Sequence, residues 1–112
     1  MITAAMYCSF IPISSTRFNS IPDSQFYRLS AFANANHIVV TSYYEDDSIS
    51  IKGSYKKGFS QLLLDYECNL FEYVLVTKID LIPFYQCNSS RKPIKIIAID
   101  TLTRAYFTMY RE

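Results

Sequence analysis

The sequence predicts an α/β domain of three layers, a mostly parallel four-stranded sheet with helices on both faces. Three observations carry that expectation. Four short apolar, β-branched runs recur along the chain, at residues 3–11, 37–44, 73–80 and 93–100, and each has the length and composition of a strand. The run from Tyr73 to Asp80 is apolar at nearly every position, as a strand covered on both faces must be. Stretches with apolar residues at helical spacing alternate with the runs, and that alternation implies parallel strands joined by helical crossovers.

Composition sets the class. The chain has 112 residues, enough for one core and too few for two, so a single domain is expected. It is 50% hydrophobic and 19% charged, a globular rather than a disordered balance. Lys+Arg 11 against Asp+Glu 10 leaves a net charge of +1, so no overall basic field argues for nucleic acid. Cys8, Cys68 and Cys87 are odd in number and lack paired spacing, and His37 is the single histidine. No metal or other cofactor is expected from that set, and a reducing cytosol suits it. No apolar run approaches the ~20 residues of a membrane span, and no basic segment precedes Met1-Ile2-Thr3 to mark a signal peptide.

The elements follow in order. Residues 3–11 read as the first strand, ended by Pro12, which has no N–H to donate. Ile13 to Ser20 is rich in Ser, Thr and Asn and reads as a loop. Ser20-Ile21-Pro22-Asp23 has the cap, the first-turn proline and the acidic residue of a helix start. Phe26, Leu29, Phe32 and Ala33 give that helix its apolar face, and Asn34 and Asn36 mark its stop. After the second strand, Glu45 to Tyr55 reads as a loop. From Lys56 onward Phe59, Leu62, Leu63 and Tyr66 fall at i, i+3, i+4 and i+7, with Gly58 in the first turn. The third strand ends on Asp80, and the carboxyl ends of parallel strands are where such sheets carry their sites. Residues 81–92 show no helical period. This connection is near the dozen-residue minimum for a parallel crossover, so the fourth strand is either parallel through a compact link or antiparallel. Leu102, Ala105, Tyr106 and Met109 then predict a short last helix.

Five of these segments resemble the catalytic domain of serine recombinases, the resolvases and invertases. They are Ala5-Met6-Tyr7, Gln25-Phe26-Tyr27-Arg28-Leu29, Tyr44-Glu45-Asp46-Asp47-Ser48-Ile49-Ser50, Lys56-Lys57-Gly58-Phe59-Ser60-Gln61-Leu62-Leu63, and Val74-Leu75-Val76-Thr77-Lys78-Ile79-Asp80. Their order and spacing hold over roughly residues 4–84. The resemblance implies a resolvase-like fold. In that family a serine attacks a DNA phosphodiester while clustered guanidinium groups neutralise the developing charge, a task that suits arginine's permanent charge and forked geometry.

The departures fall on that chemistry. Ser9 stands at the position of the family's first arginine and Ile11 at that of its nucleophile. Ile51 replaces the loop glycine, and Leu81 and Phe84 replace the two arginines after Asp80. Removing one preorganised charge stabiliser can cost orders of magnitude in rate. The expected reading is a catalytically inactive recombinase-like protein that acts by binding. Gln25, Asp46, Ser50 and Asp80 are what the resemblance leaves of the site. Read as residues, Asp46 and Asp80 are caps and Ser50 a turn residue. A residual recombinase using Ser14 or Ser15 would need a three-residue insertion and has only Arg17 nearby. A second class of reading is a binding module of flavodoxin-like topology unrelated to recombinases, but no glycine-rich phosphate loop follows any strand.

The remaining features read as ordinary. His37 has no ligand-spaced partner. Cys8 and Cys68 sit in apolar segments and read as buried, whereas Cys87 in a polar stretch reads as exposed. Arg91-Lys92 and Lys56-Lys57 are too small for a nucleic-acid footprint, which leaves DNA a weak candidate partner. Tyr106, Phe107, Met109 and Tyr110 exceed what one helix face can bury. They therefore predict a homodimer, or a hetero-complex with a recombinase-like protein, through residues 101–112.

Overall fold

A computed structural model of the chain describes residues 2–10, 20–47, 56–89, 93–100 and 105–109. Strand β1 spans Ile2–Phe10, helix α1 Ser20–Ala35, strand β2 Ile38–Asp47 and helix α2 Lys57–Glu67. Strands β3 (Tyr73–Val76), β4 (Ile94–Ala98) and β5 (Ala105–Met109) follow. The five strands form one sheet in the order β2-β1-β3-β4-β5, with β1 to β4 mutually parallel and β5 antiparallel to β4.

The two faces of the sheet are divided by strand alternation. Ala5, Tyr7, Val74, Val76, Ile94, Ile96 and Ala98 pack with Phe59, Leu62, Leu63 and Tyr66 of α2. Ala4, Met6, Cys8, Leu75 and Ile97 pack with Leu29 and Ala33 of α1. This is the expected three-layer arrangement, because successive residues of a strand point to opposite faces. The predicted stripe of α2 is buried in full. That of α1 is buried at Leu29 and Ala33, while Phe26 is left 39% exposed.

Four expectations are corrected. The predicted last helix is absent from 105–109, which form β5. Tyr, Phe and Thr favour a pleated surface, and pairing with Ile94–Ala98 satisfies an edge of β4 that would otherwise stay open. Phe107 pairs in register with Ile96 and Tyr106 with Ile97, so the argument from a single helix face does not apply to these residues. Tyr110 lies outside the described residues.

The second correction is to β3, which stops at Val76 rather than Asp80. The connection is then residues 77–93, long enough for β4 to run parallel, and its described residues include two 3-10 helices, Ile79–Leu81 and Phe84–Ser89. Third, β2 runs on to Asp47 through part of the expected loop. Its register with β1 slips between Ala4 and Ala5, where Val40 and Ser42 are the partners and Thr41 is extra. That bulge re-aims the residues beyond it, so Val40 packs on the α1 face and Tyr44 on the α2 face.

Fourth, two cysteines exchange roles. Cys68 caps the end of α2 and is exposed, whereas Cys87 is 3% exposed within the α2-face core, carried there by the second 3-10 helix. His37 (φ 58°) follows α1 and Asn69 (φ 64°) follows α2 with left-handed backbone. The Asn69 turn closes with Leu70 N–H donating to Asp65 O and Asn69 N–H to Tyr66 O, both helix-terminal carbonyls.

Candidate functional site

The strand order reverses direction at β1, whose neighbours are β2 on one side and β3 on the other. In open parallel sheets the crevice beyond the carboxyl ends at such a point is where ligands bind. Here the carboxyl ends of β1 and β2 bring Ser9 beside Asp46 in register.

Asp46 is engaged on every side that faces the protein. Its Oδ1 accepts from the Gly58 N–H at 2.8 Å, and its Oδ2 accepts from the Phe59 N–H at 2.8 Å and from the Tyr7 hydroxyl at 2.8 Å. Gly58 and Phe59 belong to the first turn of α2, whose N–H groups have no intrahelical acceptors. Asp46 therefore caps α2, with the carboxylate at the positive end of the helix dipole. Gly58 makes the approach possible. A Cβ there would collide with the Glu45 carbonyl oxygen and sit 2.9 Å from Asp46 Oδ2, which is why this position takes the residue without a side chain. Tyr7, 1% exposed, is held by its hydroxyl at Asp46 and by its ring against Phe59, edge to face at 5.2 Å.

Gln25 is occupied in the same manner. Its Nε2 donates to Ser9 O at 2.6 Å and its Oε1 accepts from Ser9 N at 3.0 Å. The side-chain amide thus continues the β1 ladder by one pairing and pins α1 to the strand end. Ser9 is 7% exposed.

The β3 side is apolar. Asp80 is exposed in the first turn of the 3-10 helix Ile79–Leu81, four residues beyond the strand, and its carboxylate makes no hydrogen bond among the described residues. The cap expected of it is not formed there. Leu81 is half-buried, Ile82 is 4% exposed, and Phe84 packs against the α2-face core. The positions that the resemblance gives to arginines thus fill the crossover with hydrocarbon. Ile11, Ser14, Ser15 and Ser50 lie outside the described residues.

Sequence reading missed two anchors. Gln86 Oε1 accepts from Lys56 N at 2.5 Å and Gln86 Nε2 donates to Lys56 O at 3.1 Å, which ties the irregular crossover to the start of α2. Arg28 on α1 pairs with Asp100 just beyond β4. Gln86 falls in a stretch without periodicity, where no local signal marks a glutamine as a backbone partner. The Arg28 pair joins residues far apart in sequence.

A thiol and a phenol near the site are held in their neutral, protonated forms. Burial pushes the Cys8 thiol up to about 11, with Tyr43 and Glu45 beside it. Burial, then the hydrogen bond to the Asp65 carboxylate, pushes Tyr44 up to about 12. No group of three His, Cys, Asp or Glu able to hold a metal occurs among the described residues. A cavity of about 480 Å³, lined by Tyr66, Asn69, Phe71, Glu72, Pro93 and Lys95, lies at the opposite, amino-terminal ends of β3 and β4. The arrangement at the carboxyl ends holds a helix, a strand end and a crossover in place; it presents a carboxylate where a phosphate would otherwise meet the α2 N-terminus.

No protein-family model and no curated protein matches the sequence. Solved structures do match the fold. The N-terminal catalytic domain of TP901-1 integrase is 22% identical with a TM-score of 0.66, over 88% of this chain and 78% of that one. A resolvase family site-specific recombinase from Streptococcus pneumoniae is 19% identical with a TM-score of 0.61, over 94% and 76%. The C-terminal catalytic domain of ISC1926 TnpA, an IS607-like serine recombinase, is 24% identical with a TM-score of 0.60, over 70% and 53%. The chain has the fold of serine recombinase catalytic domains. No helix among the described residues is long and apolar enough to cross a membrane.

Proposed function

We propose that this chain, which has the fold of serine recombinase catalytic domains, is a pseudo-enzyme that works by binding and not by cutting DNA. The observation that carries the proposal is the occupation of Asp46. Its carboxylate oxygens accept from Tyr7, Gly58 and Phe59, and the groups around it close the fold instead of presenting chemistry to a substrate. The Gln25 amide is likewise matched to the backbone of Ser9. Ile11, Leu81 and Phe84 supply neither nucleophile nor guanidinium, and phosphoryl chemistry on DNA requires both at once.

The binding partner is a recombinase-like protein, taken up through residues 101–112. Support comes from β5, which forms one outer edge of the sheet, where an extended segment of another chain can add as a further strand. The chain acts in the cytoplasm on the recombination machinery of a mobile element, and DNA contact is at most weak at its near-zero net charge. The flavodoxin-like alternative shares the 2-1-3-4 order of the parallel strands, but the helix N-terminus it would use for a phosphate already holds Asp46.

The test is incubation of the purified chain with supercoiled DNA carrying candidate recombination sites, followed by denaturing electrophoresis and mass spectrometry. The proposal predicts no strand cleavage and no protein–DNA adduct. A phosphoserine-linked DNA mapped to Ser14 or Ser15 would overturn it.

A further inference from the structure

The cavity of about 480 Å³ at the amino-terminal ends of β3 and β4 lies at the far end of the sheet from the Asp46 cap. Its apolar lining is Tyr66, Phe71 and Pro93. The two rings are nearly buried and stand with centroids 5.9 Å apart. The Tyr66 hydroxyl is taken up by the fold, donating to Pro93 O at 2.6 Å and accepting from the Lys95 N–H at 3.2 Å. Glu72 supplies the charge. Its Oε1 makes only a long contact with the Thr3 N–H, at 3.4 Å, and its Oε2 meets no donor and no cation among the described residues. Lys95 also lines the cavity but does not neutralise it. Ile94 and Ile96 lie on the α2 face with Tyr66 and Phe71, so by strand alternation the Lys95 side chain points to the other face. Its Nζ sits there, 5.7 Å from the centre of the Tyr73 ring, which packs on the α1-face core.

We propose that this cavity binds a small organic cation of the quaternary-ammonium class. Charge selects the cation. Aromatic rings attract positive charge, and the Glu72 carboxylate adds a negative one, with the Lys95 ammonium held away across the sheet. The end of α2, which leads into Asn69 at the cavity, carries the negative pole of the helix dipole, and no basic residue stands in its last turn. Hydrogen bonding selects the quaternary form. A primary ammonium brings three N–H donors that need acceptors, and the lining offers one carboxylate. A quaternary ammonium has no donor to satisfy and takes ring and hydrocarbon contacts on its other sides. Asn69 is the remaining polar residue of the lining. The volume suits the class, since small-molecule sites run from ~300 to ~1,000 Å³. The proposal is independent of the pseudo-enzyme reading and uses none of the residues at the carboxyl ends of the strands.

Choline tests it against the neutral alcohol in which carbon replaces its nitrogen, because the two share a shape and differ in charge. Each is titrated into the isotopically labelled full chain at constant ionic strength, followed by proton–nitrogen correlation spectra. Choline is expected to give saturable shifts at the amides of Asn69, Phe71 and Glu72. It is expected to bind about tenfold more tightly than the alcohol, as a cation beside aromatic rings should. Glu72→Gln is expected to weaken choline about fivefold, the scale of an exposed ion contact, and to leave the alcohol unchanged. The dispersion of the same spectra shows whether that variant is folded. The absence of saturable choline shifts, equal binding of choline and the alcohol, or undiminished choline binding by folded Glu72→Gln would overturn the proposal.

Discussion

The sheet face under α2 closes on itself, whereas the face under α1 leaves side chains outside, although both helices show apolar residues at helical spacing. Among the described residues the α2 face gathers fourteen core residues and the α1 face eight. Several elements converge on α2: Asp46 caps its start, the Asn69 turn closes its end, and the 3-10 crossover brings Ile82 and Cys87 against it. Among the described residues nothing comparable lies over the outer side of α1, and the bulge at Thr41 delivers Tyr43 to that side as a further exposed ring. Spacing determines which residues of a helix can be buried together. Whether they are buried depends on what the rest of the chain brings to meet them.

That contrast can be broken by mutation. Phe59 is 0% exposed at the centre of the closed face, and Phe59→Ala is expected to lose about 4 kcal/mol, as large-to-small changes in a packed core do. Phe26→Ala, on the open face at 39% exposure, should lose only about 1 kcal/mol because much of its area is already wet. Urea denaturation of both variants reads the difference, and equal losses would erase the distinction between the faces.

A smaller effect, shared by the two faces, appears in alkali. Cys8 is raised from its ordinary 9.0 to about 11 and Tyr44 from 10.0 to about 12. Both groups release their protons more readily from the unfolded chain, so the stability they lend is complete below pH 9 and is lost as pH climbs through about 11 and 12. Thermal midpoints followed upward from pH 9 should fall in step with tyrosinate absorbance. A midpoint that rises over that range would reverse the assigned sign.

Much of this architecture was legible in the sequence. The α2 stripe, the parallel runs and the order of the segments all follow from local periodicity, which is a property of each segment alone. Residues 105–109 were misread because Leu102, Ala105, Tyr106 and Met109 satisfy a helical spacing while the same stretch is rich in strand formers, and only the open edge of β4 decides between them. The end of β3 was placed late for a related reason, since Ile79 is as apolar inside a 3-10 turn as inside a strand. At the site, the cap at Asp46 could be anticipated from an acidic residue ahead of a helix. The double hydrogen bonds of Gln25 and Gln86 could not, because a backbone partner leaves no mark on sequence.

Asp46 and Gln25, the polar residues that the resemblance leaves of the site, hold the fold together. The stability of Asp46→Ala, with Gln25→Ala beside it, tests this most directly. A group kept for chemistry is often neutral or costly to stability, and its removal tends to leave the fold unchanged or firmer. Asp46→Ala instead removes the cap of α2 and the acceptor of the Tyr7 hydroxyl, for an expected loss of about 3 kcal/mol. Gln25→Ala removes two hydrogen bonds to Ser9, for an expected loss of about 1 kcal/mol. Denaturant unfolding that shows both losses supports the account; an Asp46→Ala chain as stable as the wild type, or more so, contradicts it.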